Sequence, residues 1–101
     1  MKVFFSIAII QLFIASILAA SCTLVIHKVG GTITAEVNEG ECHNLAKSTA
    51  TRVINIEGES NPGTLAAYNG ADCGGDEVKS GSSPLIFKYP VMVASIRVDK
   101  C

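Results

Sequence analysis

Two patterns of apolar and polar positions divide the chain. From Val3 to Ala20 apolar residues run on behind a basic Met1-Lys2 start, broken only by Ser6, Gln11 and Ser16. That layout predicts a secretory signal peptide over residues 1–21. Export cleavage favours small residues at the last and third-last positions. A cut after Ser21 puts Ala19 at the third-last place, whereas a cut after Ala20 puts Leu18 there. A membrane anchor needs a cleaner apolar run and a basic stop, so no stable insertion is expected once the leader is removed. Lipidation of Cys22 fits poorly, because Leu18 lies one place too far back and Cys22 would be lost to cysteine pairing.

Beyond the leader the period shortens to two. Ile33, Ala35 and Val37 alternate with Thr32, Thr34, Glu36 and Asn38, which puts apolar groups on one face of an extended chain and polar groups on the other. Thr23 to Val29 precedes this strand, and Gly30-Gly31 between the two suits a tight hairpin. Further strands are predicted at Cys42 to Leu45, Arg52 to Glu57, Thr64 to Asn69, Asp76 to Lys79, Leu85 to Tyr89 and Val93 to Asp99. Turn formers separate them at Glu39-Gly40, Gly58 to Gly63, Gly70 to Gly75 and Ser80 to Pro84. The expected fold class is all-β, a two-sheet Greek-key sandwich of about eight short strands in one domain over 22–101. A short internal repeat aligns Thr23 to Lys28 with Thr64 to Asn69, and Arg52-Val53 with Arg97-Val98.

Charge narrows the partners. Of the 8 Lys and Arg, Lys2 lies in the leader, so 7 face 9 Asp and Glu in the remainder, a net charge of −2 with neutral histidines. Nucleic acid and anionic lipid are therefore not expected partners. Cys22, Cys42, Cys73 and Cys101 all follow the leader, in a chain of about 80 residues whose core needs a supplement. Two disulfides supply one. Three connectivities are open; tying the chain ends together favours Cys22 with Cys101 and leaves Cys42 with Cys73. Spacings of 19, 30 and 27 residues between cysteines do not suit zinc, even with His43 beside Cys42.

The second half carries a more specific pattern: Tyr68, Cys73 and Gly75, followed about twenty residues on by Ser95-Ile96-Arg97-Val98. It resembles the βγ-crystallin Greek-key motif, found also in secreted microbial killer-toxin-like and protease-inhibitor proteins. The resemblance implies that Tyr68 packs over a folded hairpin, Gly75 takes a backbone shape other residues resist, and Ser95 holds the hairpin down. Glu41 to Leu45 with Thr51-Arg52-Val53 is similar to the corresponding stretch of a first motif. The departures are Cys73 in place of a second aromatic, His27 in place of the first half's aromatic, and Ala50 or Thr51 in the serine place. Family calcium ligands would fall at Pro90 and Val91, and at Ala46 and Lys47, none of which offers side-chain oxygen. No metal or other cofactor is expected.

Candidate chemistry is sparse. Asp72, Asp76 and Glu77 cluster around Gly74-Gly75 and read as a solvated loop. His27 and His43 are the only histidines, with His27 expected to pack and His43 to lie on the surface; no nucleophile motif accompanies them. Gly70 to Gly75 lacks the lysine and following helix of a phosphate cradle, and no Asn-x-Ser/Thr acceptor occurs. The most distinctive surface candidate is Leu85 to Val93. Pro90 there argues for a bulge or an edge, Leu85 and Phe87 are expected to face the core, and Tyr89, Val91 and Met92 form the candidate binding surface.

These readings lead to a secreted, extracellular, non-enzymatic binding protein, a virulence effector or killer-type toxin. Its expected partner is an extracellular protein or cell-surface component of another organism. An inhibitor of a secreted protease, presenting Gly58 to Gly63 or Ser80 to Pro90, and a wall or matrix protein are the alternatives. The sequence leaves the oligomeric state open.

Overall fold

The structure, a computed structural model, describes residues 20–57 and 63–101; residues 1–19 of the predicted 1–21 leader and 58–62 of the predicted Gly58 to Gly63 turn lie outside the described residues. The fold is all-β. The strands are β1 (Ser21–Lys28), β2 (Gly31–Asn38), β3 (Cys42–Glu57), β4 (Thr64–Tyr68), β5 (Glu77–Ser82) and β6 (Leu85–Lys100), with one 3-10 turn at Ala71–Cys73 between β4 and β5. They form one antiparallel sheet in the order β2-β1-β3-β6-β4-β5.

The first hairpin forms where the glycines predict it, shifted by one residue. Lys28 pairs with Gly31, so the turn is Val29-Gly30 and Gly31 opens β2. Gly30 sits at φ +89, a left-handed conformation that costs an L side chain about 1–2 kcal/mol. In β2 the alternation holds: Val37 is buried, Ile33 and Ala35 are half-buried, and Thr32, Thr34, Glu36 and Asn38 are exposed.

Four of the eight predicted short strands are the ends of two long ones. Cys42 to Leu45 and Arg52 to Glu57 belong to β3, and Leu85 to Tyr89 and Val93 to Asp99 belong to β6. Each long strand stays extended but changes register partway. Asn44 pairs with Ser95 and Thr49 with Val93, so Leu45 to Ser48 stand against Ala94 alone. Val53 pairs with Ile86 and Thr51 with Val91, so Phe87 to Pro90 stand against Arg52 alone. The predicted strands leave out residues 46–51 and 90–92, but β3 and β6 run through both; Pro90 lies in a bulged excursion, in keeping with its reading as a bulge or an edge.

The same registers settle how the internal repeat runs. Leu24 pairs with Ile56 as Leu65 pairs with Val98, and His27 pairs with Val53 as Tyr68 pairs with Ser95. The alignment of Thr23 to Lys28 with Thr64 to Asn69 therefore follows the pairing. That of Arg52-Val53 with Arg97-Val98 does not, because Val53 occupies the position of Ser95. In register, the first-half counterpart of Ser95 is thus Val53 rather than Ala50 or Thr51.

Alternate residues from both halves make a single core that includes Leu24 and Ile26 of β1, Ile54 of β3, Leu65 of β4, and Val93 and Ile96 of β6, all fully buried. His27 does not pack as expected. It follows Ile26, so the strand period turns it to the outer face, where it is exposed, while His43 is half-buried.

Candidate functional site

Two regions bring the sequence-derived residues together. The first is the hairpin between β4 and β5. Asn69 closes its base, donating its N–H to Asp76 O at 3.0 Å and accepting the Asp76 N–H on its side-chain oxygen at 2.8 Å. Asp72 and Cys73 both take φ 56, which reverses the chain. Gly75 lies at φ +71, and a Cβ there would collide with Asn69 Oδ1 and sit 3.1 Å from Gly70 N. Only glycine fits that backbone without strain.

Ser95 anchors this hairpin from β6. Its fully buried hydroxyl donates to Gly70 O at 2.6 Å and accepts the Cys73 N–H at 2.8 Å. Both are main-chain groups that the tight turn leaves without a ladder partner. Tyr68, 8% exposed, precedes the hairpin and pairs with Ser95 in register. The Arg97 guanidinium stands 5.7 Å from its ring centroid. Asp99, hydrogen-bonded to Arg97 at 2.6 Å, and its negative charge raise the guanidinium above its ordinary pKa.

From the other side β3 grips the same hairpin. Cys42 is bonded to Cys73, and the Asn44 amide meets Asp72 twice: Nδ2 donates to the carboxylate at 2.8 Å and Oδ1 accepts the Asp72 N–H at 2.7 Å. The Asp72 carboxylate is thereby turned toward Asn44, away from a shared site with Asp76 and Glu77. Among the described residues no group of three or more His, Cys, Asp or Glu is arranged to hold a metal ion. The second disulfide joins Cys22 in β1 to Cys101, whose N–H donates to Glu39 Oε2 at 2.8 Å. Each disulfide links the first half of the domain to the second.

The second region is the outer face of β1, β3 and the start of β6. Paired residues of an antiparallel ladder project to the same side, so the registers give its rows. Glu36, Thr23 and Glu57 form one end, with Thr23 Oγ1 donating to Glu36 at 2.6 Å. Thr32, His27, Val53 and Ile86 form a later row. Val29, whose N–H donates to Ala50 O, lies beside Ala50 and Met92 at the far end. The face therefore passes from acidic to apolar along the strands.

At that apolar end Tyr89 is 70% exposed, Ile86 60% and Met92 52%. Tyr89 sits in the Phe87 to Pro90 excursion with Lys88 Nζ 5.7 Å from its ring centroid, and the exposed Arg52 lies opposite. Val91 is half-buried, paired with the buried Thr51. Leu85 is buried and Phe87 half-buried against the core. Ile86 and Val29 were not singled out from the sequence; the Leu85, Ile86, Phe87 alternation carried the signal for the first. The Ser80 to Pro90 segment is not an open loop, because β5 and β6 take all of it except Ser83-Pro84. Ser83 is tied inward, its hydroxyl accepting the Ile56 N–H at 2.9 Å and donating to Asn55 at 2.8 Å.

The two regions define a small all-β domain cross-linked by two disulfides, with an aromatic and aliphatic surface at one end of its sheet. Comparison with known protein families, curated proteins and solved structures yields no match.

Proposed function

We propose that the chain is a secreted, non-enzymatic binding protein, an effector or killer-type toxin, whose Ile86, Tyr89 and Met92 surface engages an extracellular protein or cell-surface component of another organism. The observation that carries this reading is Tyr89, 70% exposed on a strand-borne excursion. An exposed aromatic side chain has few rotatable bonds and loses little entropy on contact, and aromatic residues and methionine are enriched in interfaces. Two disulfides in so short a chain are compatible with an oxidising, extracellular setting, and the apolar leader at its start supports export.

The finer architecture we infer is a two-leaf Greek-key sandwich of the βγ-crystallin type, with the one hydrogen-bonded sheet folded over on itself. Val37 of β2 and Leu65 of β4 belong to one core, yet their strands are four places apart in the sheet order. In a flat sheet that separation would be about 19 Å. The exchange of partners along β3 and β6 supports the same reading, since each gives one end to either leaf. Ser95, Gly75 and Tyr68 support the resemblance in the second half; Val53 and the exposed His27 weaken it in the first.

The test is binding to intact cells and surface extracts of candidate target organisms by the disulfide-intact protein and by a Tyr89→Ala/Met92→Ala variant. The variant should keep its melting temperature and lose retention at least about tenfold, as loss of a central aromatic anchor does. Equal retention of the two proteins would reject this surface as the binding site.

A further inference from the structure

The two edges of the sheet are built differently. Edge strand β5 is short, carries Glu77 and Lys79, and contains Gly81 at φ +143, features that discourage a further strand from pairing. Edge strand β2 has none of these protections along Thr32 to Asn38. It runs without proline, lysine or internal glycine, and its one charge, Glu36, is engaged by Thr23.

The direction of its free backbone groups follows from the ladder. Glu39 donates to Ala20 O at 2.9 Å, and the register pairs Lys28 with Gly31, Ile26 with Ile33 and Leu24 with Ala35. Hydrogen-bonded pairs alternate along an antiparallel ladder, so the odd-numbered residues of β2 bond inward to β1. The N–H and C=O groups of Thr32, Thr34, Glu36 and Asn38 point away. Among the described residues β2 pairs with β1 alone, and of these groups only the Asn38 C=O has another main-chain partner, accepting the Glu41 N–H at 3.2 Å. Ile33 and Ala35 on the core face are only half-buried, which a further strand would correct.

We propose that β2 pairs antiparallel with β2 of a second copy of this chain about a twofold axis at Ala35. This register sets Thr34 opposite Glu36, Thr32 opposite Asn38 and Ile33 opposite Val37 of the partner, with Ala35 facing its own copy. Apolar side chains meet apolar ones on the core face, and no like charges are opposed. A twofold at Glu36 would set two carboxylates together and is disfavoured. The pairing is isologous and uses β2 on both sides, so it closes at a dimer and joins two six-stranded sheets into one.

Sedimentation equilibrium of the purified, disulfide-intact protein tests this, with a dimer as the expected species. Thr34→Pro removes an outward N–H without taking a bond from β1, so the variant should fold with an unchanged circular dichroism spectrum and dimerise at least about tenfold more weakly. Should that variant fail to fold, Ala35→Lys and Ala35→Asp decide: each alone is expected to be monomeric, and an equal mixture to dimerise. A monomeric wild type, a folded T34P variant that dimerises as well as wild type, or a charge-swapped mixture that stays monomeric would overturn the proposal.

Discussion

Replacing Ser95 with Ala removes one oxygen and, with it, both side-chain tethers of the β4–β5 hairpin. Gly70 O loses its donor at 2.6 Å and the Cys73 N–H loses its acceptor at 2.8 Å. A buried main-chain group left unpaired costs about 1–3 kcal/mol. Gly70 and Cys73 are half-buried, so water can partly replace the hydroxyl and each loss falls toward the lower end. The expected destabilisation is about 2–3 kcal/mol, or roughly 10–20 °C in Tm for a domain of this size. Thermal and urea unfolding followed by circular dichroism measure it, and hydrogen exchange at the Cys73 amide localises it. The Cys42–Cys73 bond still holds the hairpin in the variant, so the fold should survive with that amide exchanging faster. A loss below about 0.5 kcal/mol, the range of ordinary surface changes, with unchanged protection at Cys73, would refute the anchoring role.

Further outcomes follow from the same geometry. Gly75→Ala should cost about 1–3 kcal/mol, since it forces a left-handed conformation on alanine and drives Cβ into Asn69. Gly30→Ala, with open space around it, should cost less in the same melting assay. Opening Cys42–Cys73, which closes a span of 31 residues, should cost about 4 kcal/mol on chain entropy. Opening Cys22–Cys101, spanning 79, should cost slightly more, and denaturant midpoints of the paired Cys→Ala variants check the order. Tyr89→Ala alone should change stability by no more than about 0.5 kcal/mol, because that side chain is largely exposed.

Strand content and the first hairpin were legible because they rest on local rules: period-two alternation in Thr32 to Asn38 and glycines where the chain reverses. The roles of Gly75 and Ser95 were legible only through the resemblance to a known motif, since no local rule links a serine to a hairpin some twenty residues earlier. What could not be read was long-range register. Cys42 to Leu45 and Arg52 to Glu57 were read as separate strands, as were the segments on either side of Pro90, although Pro90 itself was read as a bulge or an edge; whether a strand stops or bulges depends on what its neighbour offers. Arg52 and Ala94, each facing four residues, supply that answer only in three dimensions. His27 was misplaced for a related reason: its position in the repeat matches the buried Tyr68, but the strand period turns it to the outer face, where it is exposed.

The most direct test of the whole account is a tryptic map of the unreduced protein. Cleavage at lysine and arginine puts Cys22, Cys42, Cys73 and Cys101 on four separate peptides. Mass spectrometry should find the Cys22 peptide that ends at Lys28 linked to Cys101, which the cut after Lys100 leaves as a single residue, and residues 29–47 linked to 53–79, both bonds joining the first half to the second. Peptides linked within halves, Cys22 to Cys42 and Cys73 to Cys101, or four free thiols would contradict it.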